Sequence, residues 1–346
     1  MLEAIRSAQA LAFAGAGVSR PLGYPTWYGL IERFETETRA RCGENISDDK
    51  GRSITVAQVS EMKDLLFRAE IFKCNLGDRY FEIIQEIFGP RDGQDSGIRD
   101  LISLPFQHIL TSNYDIGLER AHDYLQQPYD SICLDDPSAF DFTNELGNYG
   151  YSRRIVHVHG RFDRPRNIIL TEREYGAFYH NSAVVDPFWQ TVARIRRCIF
   201  CGFSFNDTDL TAPFSLGNFN LARRGHGGVV HFALLPLDVE HGEPGNRAYY
   251  NMKYGIEPVF FNSVDEAFSG FSAVIRMIAK EIRPAVQELR VGLELIEPVA
   301  IAEVGVAEIP APVAVPAVAH PVQEDVLRLE QLTETNLRKT LTGELG

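Results

Sequence analysis

The 346-residue chain is first informative through what it lacks. It has no run of about 18 uncharged apolar residues, so it offers no candidate membrane-spanning helix. Basic residues are outnumbered, with 34 Lys and Arg against 47 Asp and Glu and a formal charge of -13. That balance argues against nucleic-acid binding, which relies on clustered cations to displace counterions. Cysteine is scarce: five residues at 42, 74, 133, 198 and 201, an odd number without a disulfide rhythm, as expected of a reducing compartment. Cys198 and Cys201 form one CxxC with no second pair, so no zinc site is completed and no metal is expected. Three apart on a strand, they face opposite sides and read as small core residues. A basic leader is also missing. Glu3 offsets Arg6 ahead of the small apolar run from Ala10 to Ala16, which therefore reads as a first strand, not a signal-peptide core. The expectation is a cytoplasmic protein without membrane or nucleic-acid contacts.

What the chain does have is a set of short apolar runs, each ending in a polar or glycine-rich turn. Ala10 to Ala14 runs into Gly15-Ala16-Gly17-Val18-Ser19, and Phe106 to Thr111 into Ser112-Asn113-Tyr114-Asp115. Arg154 to Val158 leads to His159-Gly160, and Cys198 to Cys201 to Gly202-Phe203-Ser204. Continuous apolar runs of this length, alternating with helical patterns, read as parallel strands buried on both faces. The fold class is α/β: a Rossmann-like, doubly wound parallel sheet with a helical insertion and an extended C-terminal tail. In such sheets the chemistry sits at the carboxyl ends of the strands, where all four turns lie.

The rest of the chain fills in around that sheet. A helix is expected from about Thr26 through Ala40, then a helical insertion over about 42–100, with apolar residues at helical spacing in 54–72 and 80–88. Leu125 to Asn148, rich in Asp, Pro and Asn, reads as loops. Thr171 followed by Glu174 is a capping box opening a helix. Strands follow near 229–235 and 258–261, then a helix from Val264 to about Ile282 that Pro284 should end or kink. The organisation expected is a domain over 1–296, a Pro- and Ala-rich linker over 297–322, and a C-terminal amphipathic helix over 323–346.

Each turn residue admits a plain structural reading. Gly15 and Gly17 suit a tight turn as well as a close approach to phosphate. Asn113 tolerates a left-handed turn, Asp115 and Asp207 are good helix caps, His159 suits a capped strand end, and Ser204 suits loop surface. His157 reads as a core residue or a support for His159.

Taken together, these motifs resemble the sirtuin fold. Gly15-Ala16-Gly17-Val18-Ser19, Gly23-Tyr24-Pro25-Thr26-Trp27, Thr111-Ser112-Asn113-Tyr114-Asp115, His159-Gly160 and Gly202-Phe203-Ser204 occur in its order and spacing. More narrowly, Ser-Asn-Tyr-Asp, His-Val-His-Gly, Gly-Phe-Ser with Asp207 and Asp209, and Tyr254-Gly255-Ile256 look like the sirtuin-like domains of bacterial antiphage defence. The resemblance implies that NAD+ is the substrate, with Asn113 and His159 catalytic. It also implies that Gly15, Ala16, Gly17, Ser19, Pro25, Asp115, Gly202 and Ser204 bind it: the glycine loop at the diphosphate, Gly202 and Ser204 on the adenosine side, and Asp115 ordering the Asn113 loop.

The departures narrow that implication. Protein-deacylating sirtuins carry a four-cysteine zinc module, which is missing here, and the acidic and basic residues of their Gly-Ile-Pro-Asp-Phe-Arg loop are replaced by Thr26 and Tyr28. Water is then the simpler nucleophile, and the implied activity is NAD+ glycohydrolysis in an antiphage effector that depletes NAD. A constantly active enzyme of this kind would be toxic, which implies control by homo-oligomerisation or by a partner such as a P-loop ATPase or a sensor protein. The alternatives are a zinc-free deacylase or ADP-ribosyltransferase, and a module that senses NAD or ADP-ribose without turnover.

Overall fold

The computed structural model describes residues 1–91, 96–146, 153–181, 185–195, 197–223, 231–237, 242–262 and 269–294. Seven strands form one parallel sheet: β1 (Ala10–Ala14), β2 (Ile109–Thr111), β3 (Asp130–Cys133), β4 (Arg154–His157), β5 (Arg197–Cys201), β6 (His231–Pro236) and β7 (Ile256–Phe261). Their order is β3-β4-β2-β1-β5-β6-β7, and every pairing is parallel. The chain builds outward from β1 to one side and then, after β4, crosses to build the other. That reversal places a crevice beyond the carboxyl ends of β1, β2 and β5, where doubly wound sheets bind ligands. The Rossmann-like α/β expectation holds.

Burial explains why these segments are strands. All five residues of β1 are buried, as are four of the five of β5, which is what a strand covered by helices on both faces requires. Phe13 on β1 stacks at 5.3 Å on Phe200 of β5 and at 6.0 Å on Trp189 from helix Val185–Ile195. Cys198 and Cys201 are buried core residues of β5, and burial pushes the Cys201 thiol up to about 12. Among the described residues no cluster of three His, Cys, Asp or Glu can hold a metal, and no helix is long and apolar enough to cross a membrane.

Helix Trp27–Cys42 starts as expected, with Thr26 as its N-cap. The insertion between β1 and β2 contains a small antiparallel hairpin, Asn45–Ser47 with Ser53–Thr55, and helices Val56–Ser60, Leu65–Leu76 and Asp78–Phe88. These pack a second core in which Phe34 and Tyr80 stack at 4.4 Å.

Three expectations are corrected. Residues 125–148 are not all loop: they supply β3, the edge strand, and helix Ser138–Glu145. Helix Leu65–Leu76 runs past the end of the 54–72 span, so the break between the two helices falls at Gly77. Pro284 does not end the last helix, which runs Ser269–Glu294. The chain divides into two units, Met1–Ala279 and Lys280–Gly346. The linker and terminal helix expected over 297–346 lie outside the described residues.

Candidate active site

Two backbone turns meet at the end of β1. The turn after it opens a short helix, Ala16–Ser19, and the turn after β5 lies directly against it. The Gly15 N–H donates to Cys201 O and the Gly17 N–H to Gly202 O, both at 2.9 Å. A Cβ on Gly15 would stand 2.6 Å from Gly202 O, and one on Gly17 would stand 2.8 Å from the Gly202 Cα. These glycines are therefore required by the loop-to-loop seam itself. Their small size lets two strand-end turns share one wall, and their amides are already committed to it.

A cavity of about 800 Å³ opens above this seam, lined by Ala16, Gly17, Ser19, Pro25, Asn113, Asp115, His159, Gly202 and Ser204. Of the site residues expected from sequence, Gly15 alone does not line it. The walls also include Trp27, Tyr175, Asn206 and Asp207, and the apolar Leu234, Pro236, Phe261 and Phe271. The volume fits a dinucleotide-sized ligand, and the mix of apolar walls with a few convergent polar groups is that of a small-molecule site.

Asn113, two residues beyond β2, is held on every side. Its backbone N–H donates to Thr111 Oγ1 at 3.1 Å, and its side-chain Nδ2 donates to Gly15 O at 3.0 Å and to Ser19 Oγ at 2.9 Å. Gly15 O accepts only, so the amide cannot be flipped. With both amide hydrogens engaged, Asn113 has only Oδ1 left to offer a ligand. It is an acceptor there, a narrower role than the amide's two-sided chemistry allows. Asp115 supports the same turn: its Oδ1 accepts from the Gly117 N–H at 2.8 Å, and burial raises its pKa against that bond and one from Ser19.

His159 lies just past β4, 3% exposed, beneath two tyrosines of helix Glu172–Asn181. Tyr175 donates its hydroxyl proton to Asp207 Oδ2 at 2.8 Å, so the Tyr175 oxygen can only accept from His159 Nδ1, 3.4 Å away. That places the imidazole proton on Nδ1 and leaves the Nε2 lone pair to accept from Tyr179 Oη at 2.7 Å; Asp207 Oδ2 stands 3.7 Å from the same nitrogen. Burial lowers the His159 pKa, with Asp207 opposing it, so the ring is neutral and basic at pH 7. Trp27 stacks on Tyr175 at 6.5 Å and 11°, and both line the cavity beside His159.

The helix carrying the tyrosines begins at the expected capping box, in which Glu174 Oε2 accepts from the Thr171 N–H at 2.8 Å. Asp207 also caps its helix, Thr208–Arg223, by accepting from the Leu210 N–H at 2.9 Å, so it caps and contacts His159 cluster residues at once. Tyr175, Tyr179 and Glu119 were not singled out from sequence. The one available signal was the i, i+4 spacing of the tyrosines, which reads equally well as a core face.

A parallel, doubly wound sheet with its cavity at the switch point is the architecture of a nucleotide-binding α/β domain. Comparison with known proteins narrows this: the family model of the SIR2-like domain matches residues 107–259. Over those residues the chain is similar to a SIR2-like domain. Defense-associated sirtuin 2 of Bacillus subtilis is 24% identical over 212 residues, covering 60% of this chain and 19% of that protein. NAD(+) hydrolase ThsA of Cytobacillus dafuensis is 24% identical over 211 residues, 60% of this chain and 38% of its own, and its Enterococcus faecium namesake is 25% identical over 220 residues, 60% and 40%. The aligned region thus spans two fifths or less of these relatives.

Proposed function

We propose that this chain is an NAD+ glycohydrolase that releases nicotinamide and ADP-ribose, and that it serves antiphage defence by depleting NAD. The observation that carries the reading is Asn113. A buried amide with both hydrogens anchored to the glycine turn presents one oriented acceptor oxygen to a dinucleotide-sized cavity. The relatives' names, a defence-associated sirtuin and NAD(+) hydrolases, support the same chemistry.

In this mechanism NAD+ lies across the cavity with its nicotinamide ribose near Asn113 and His159. The bond between ribose C1′ and the nicotinamide nitrogen breaks, nicotinamide leaves as a neutral molecule, and C1′ becomes oxocarbenium-like. Asn113 Oδ1 accepts a hydrogen bond from the attacking water, fixing its lone pair on C1′. The C1′–O bond forms, and the water's second proton passes to His159, the neutral base, which lines the cavity with Tyr175 and Asp207. A base with lowered pKa stays competent in mildly acidic solution. Holding water and sugar together contributes several kcal/mol, about 7 in favourable cases.

Tyr175→Phe keeps the ring on Trp27 but removes the acceptor that fixes the His159 tautomer. Steady-state rates on NAD+ should show kcat falling by about tenfold or more with KM nearly unchanged; an unchanged kcat would show that the tautomer is held without Tyr175.

Such an activity in the cytoplasm requires restraint, which we assign to self-association or to a partner protein. The direct test is chromatographic separation of products from NAD+ across protein concentrations. Nicotinamide with ADP-ribose, rising more steeply than protein concentration, supports a hydrolase switched by assembly. Stable NAD+ binding without products would instead indicate a sensing module, and no binding would refute the reading.

A further inference from the structure

The mechanism uses the second histidine of His157-Val158-His159-Gly160 and leaves the first unexplained. His157, the last residue of β4, is fully buried. Its Nδ1 lies 2.9 Å from the backbone oxygen of Asn113, and its Nε2 lies 2.7 Å from Glu119 Oε1 on helix Gly117–Tyr124. A carbonyl oxygen can only accept, so Nδ1 carries a proton. A carboxylate oxygen at 2.7 Å also needs a proton between itself and Nε2. The pair therefore holds one more proton than a neutral imidazole beside a free carboxylate. Burial opposes charge on both, yet their attraction prevails: the His157 pKa is raised and the Glu119 pKa lowered.

The same Glu119 oxygen has two further neighbours. Ser131 on β3 donates to Oε1 at 2.7 Å, and Arg161 reaches Ser131 Oγ at 3.0 Å and Glu119 Oε1 at 3.9 Å. Buried ion pairs of this kind are often no more stabilising than an apolar pair of the same volume, so stability alone does not account for it. What an apolar pair could not do is donate a hydrogen bond to the Asn113 carbonyl. The structure assigns His157 as a positioning residue: Glu119 keeps its proton on Nδ1, and that N–H clamps the Asn113 backbone so that the side-chain Oδ1 stays aimed into the cavity. This rests on the NAD-cleaving reading for its catalytic consequence, though not for the clamp itself.

The two nitrogens are separable by substitution in the full chain. Asn at 157 puts an amide nitrogen where Nδ1 stands, whereas Gln reaches toward Glu119 instead. Glu119→Gln can donate to Nε2 and leaves the Nδ1 proton in place. Kinetics on NAD+ should show His157→Gln losing about tenfold or more in kcat, the scale of a small misplacement of a reacting group. KM should stay near wild type, and His157→Asn and Glu119→Gln should retain most of kcat. Equal losses in the two His157 variants, or losses that follow melting temperature, would overturn the assignment. A second readout needs no turnover: the Asn113 side-chain amide protons, followed by NMR hydrogen exchange, should be protected in wild type and His157→Asn and lose that protection in His157→Gln. If the wild type does not cleave NAD+, the proposed function falls while the amide signals still decide the clamp; Asn113 signals unchanged in His157→Gln would overturn it.

Discussion

Asn113→Ala should reduce NAD+ hydrolysis by about 10²–10³-fold in kcat, the cost of removing one preorganised polar group at a reacting centre. It should do so with little loss of fold, because the seam between the glycine turns is made by backbone groups: Gly15 to Cys201 and Gly17 to Gly202. The more discriminating variant is Asn113→Asp. If Asn113 served only as an acceptor without anchoring, a carboxylate would substitute well. Here an oxygen would replace Nδ2 at 3.0 Å from Gly15 O, two acceptors facing each other, and the turn would have to shift. Asp should therefore be no better than Ala. Ser19→Ala, which removes one of the two anchors, should fall between them and wild type. Initial rates on NAD+ with melting curves for all three variants check the order, and an active Asp variant would show that Oδ1 is not held as described.

Much of this was legible in the sequence because parallel strands under two helical layers must be apolar throughout. β1, β4 and β5 read as such, and each delivers its turn to the crevice. What escaped did so for physical reasons. β3 is a four-residue edge strand that begins exposed at Asp130, so Asp and Ser there carry no strand periodicity. Pro284 falls in a helix that runs to Glu294, against the usual breaking effect of proline.

At the site, the residue types were readable and their partnerships were not. Gly15-Ala16-Gly17 looks the same in sequence whether its amides face a phosphate or a neighbouring turn, and only the fold brings Gly202 against it. Tyr175, Tyr179 and Asp207 reach His159 from two helices 16 to 48 residues away in sequence, a proximity that local spacing does not encode. Glu119 likewise looks like an ordinary charge on a helix until its burial beside His157 is seen.

That seam supplies the second large effect. Gly202→Ala should destabilise the domain by about 3 kcal/mol or more, within the upper range for single substitutions. Gly202 has φ +60°, where a Cβ costs roughly 1–2 kcal/mol by itself. The added methyl would also stand 2.6 Å from the Val18 nitrogen and 2.8 Å from the Gly17 carbonyl carbon. Neither is the end of a flexible side chain, so relief requires moving the whole Ala16–Ser19 turn, which carries Ser19 and with it one anchor of Asn113. The variant should therefore lose ligand binding along with stability. Gly176→Ala is the control: in the interior of helix Glu172–Asn181 a Cβ would meet nothing within 4 Å, and Ala there should be neutral or stabilising by up to about 1 kcal/mol. Urea unfolding of both variants, with NAD+ titration of the folded protein, separates the cases. A Gly202→Ala protein as stable as wild type would mean that the two turns are not packed backbone to backbone, and the placement of Asn113 would have to be rebuilt from that point.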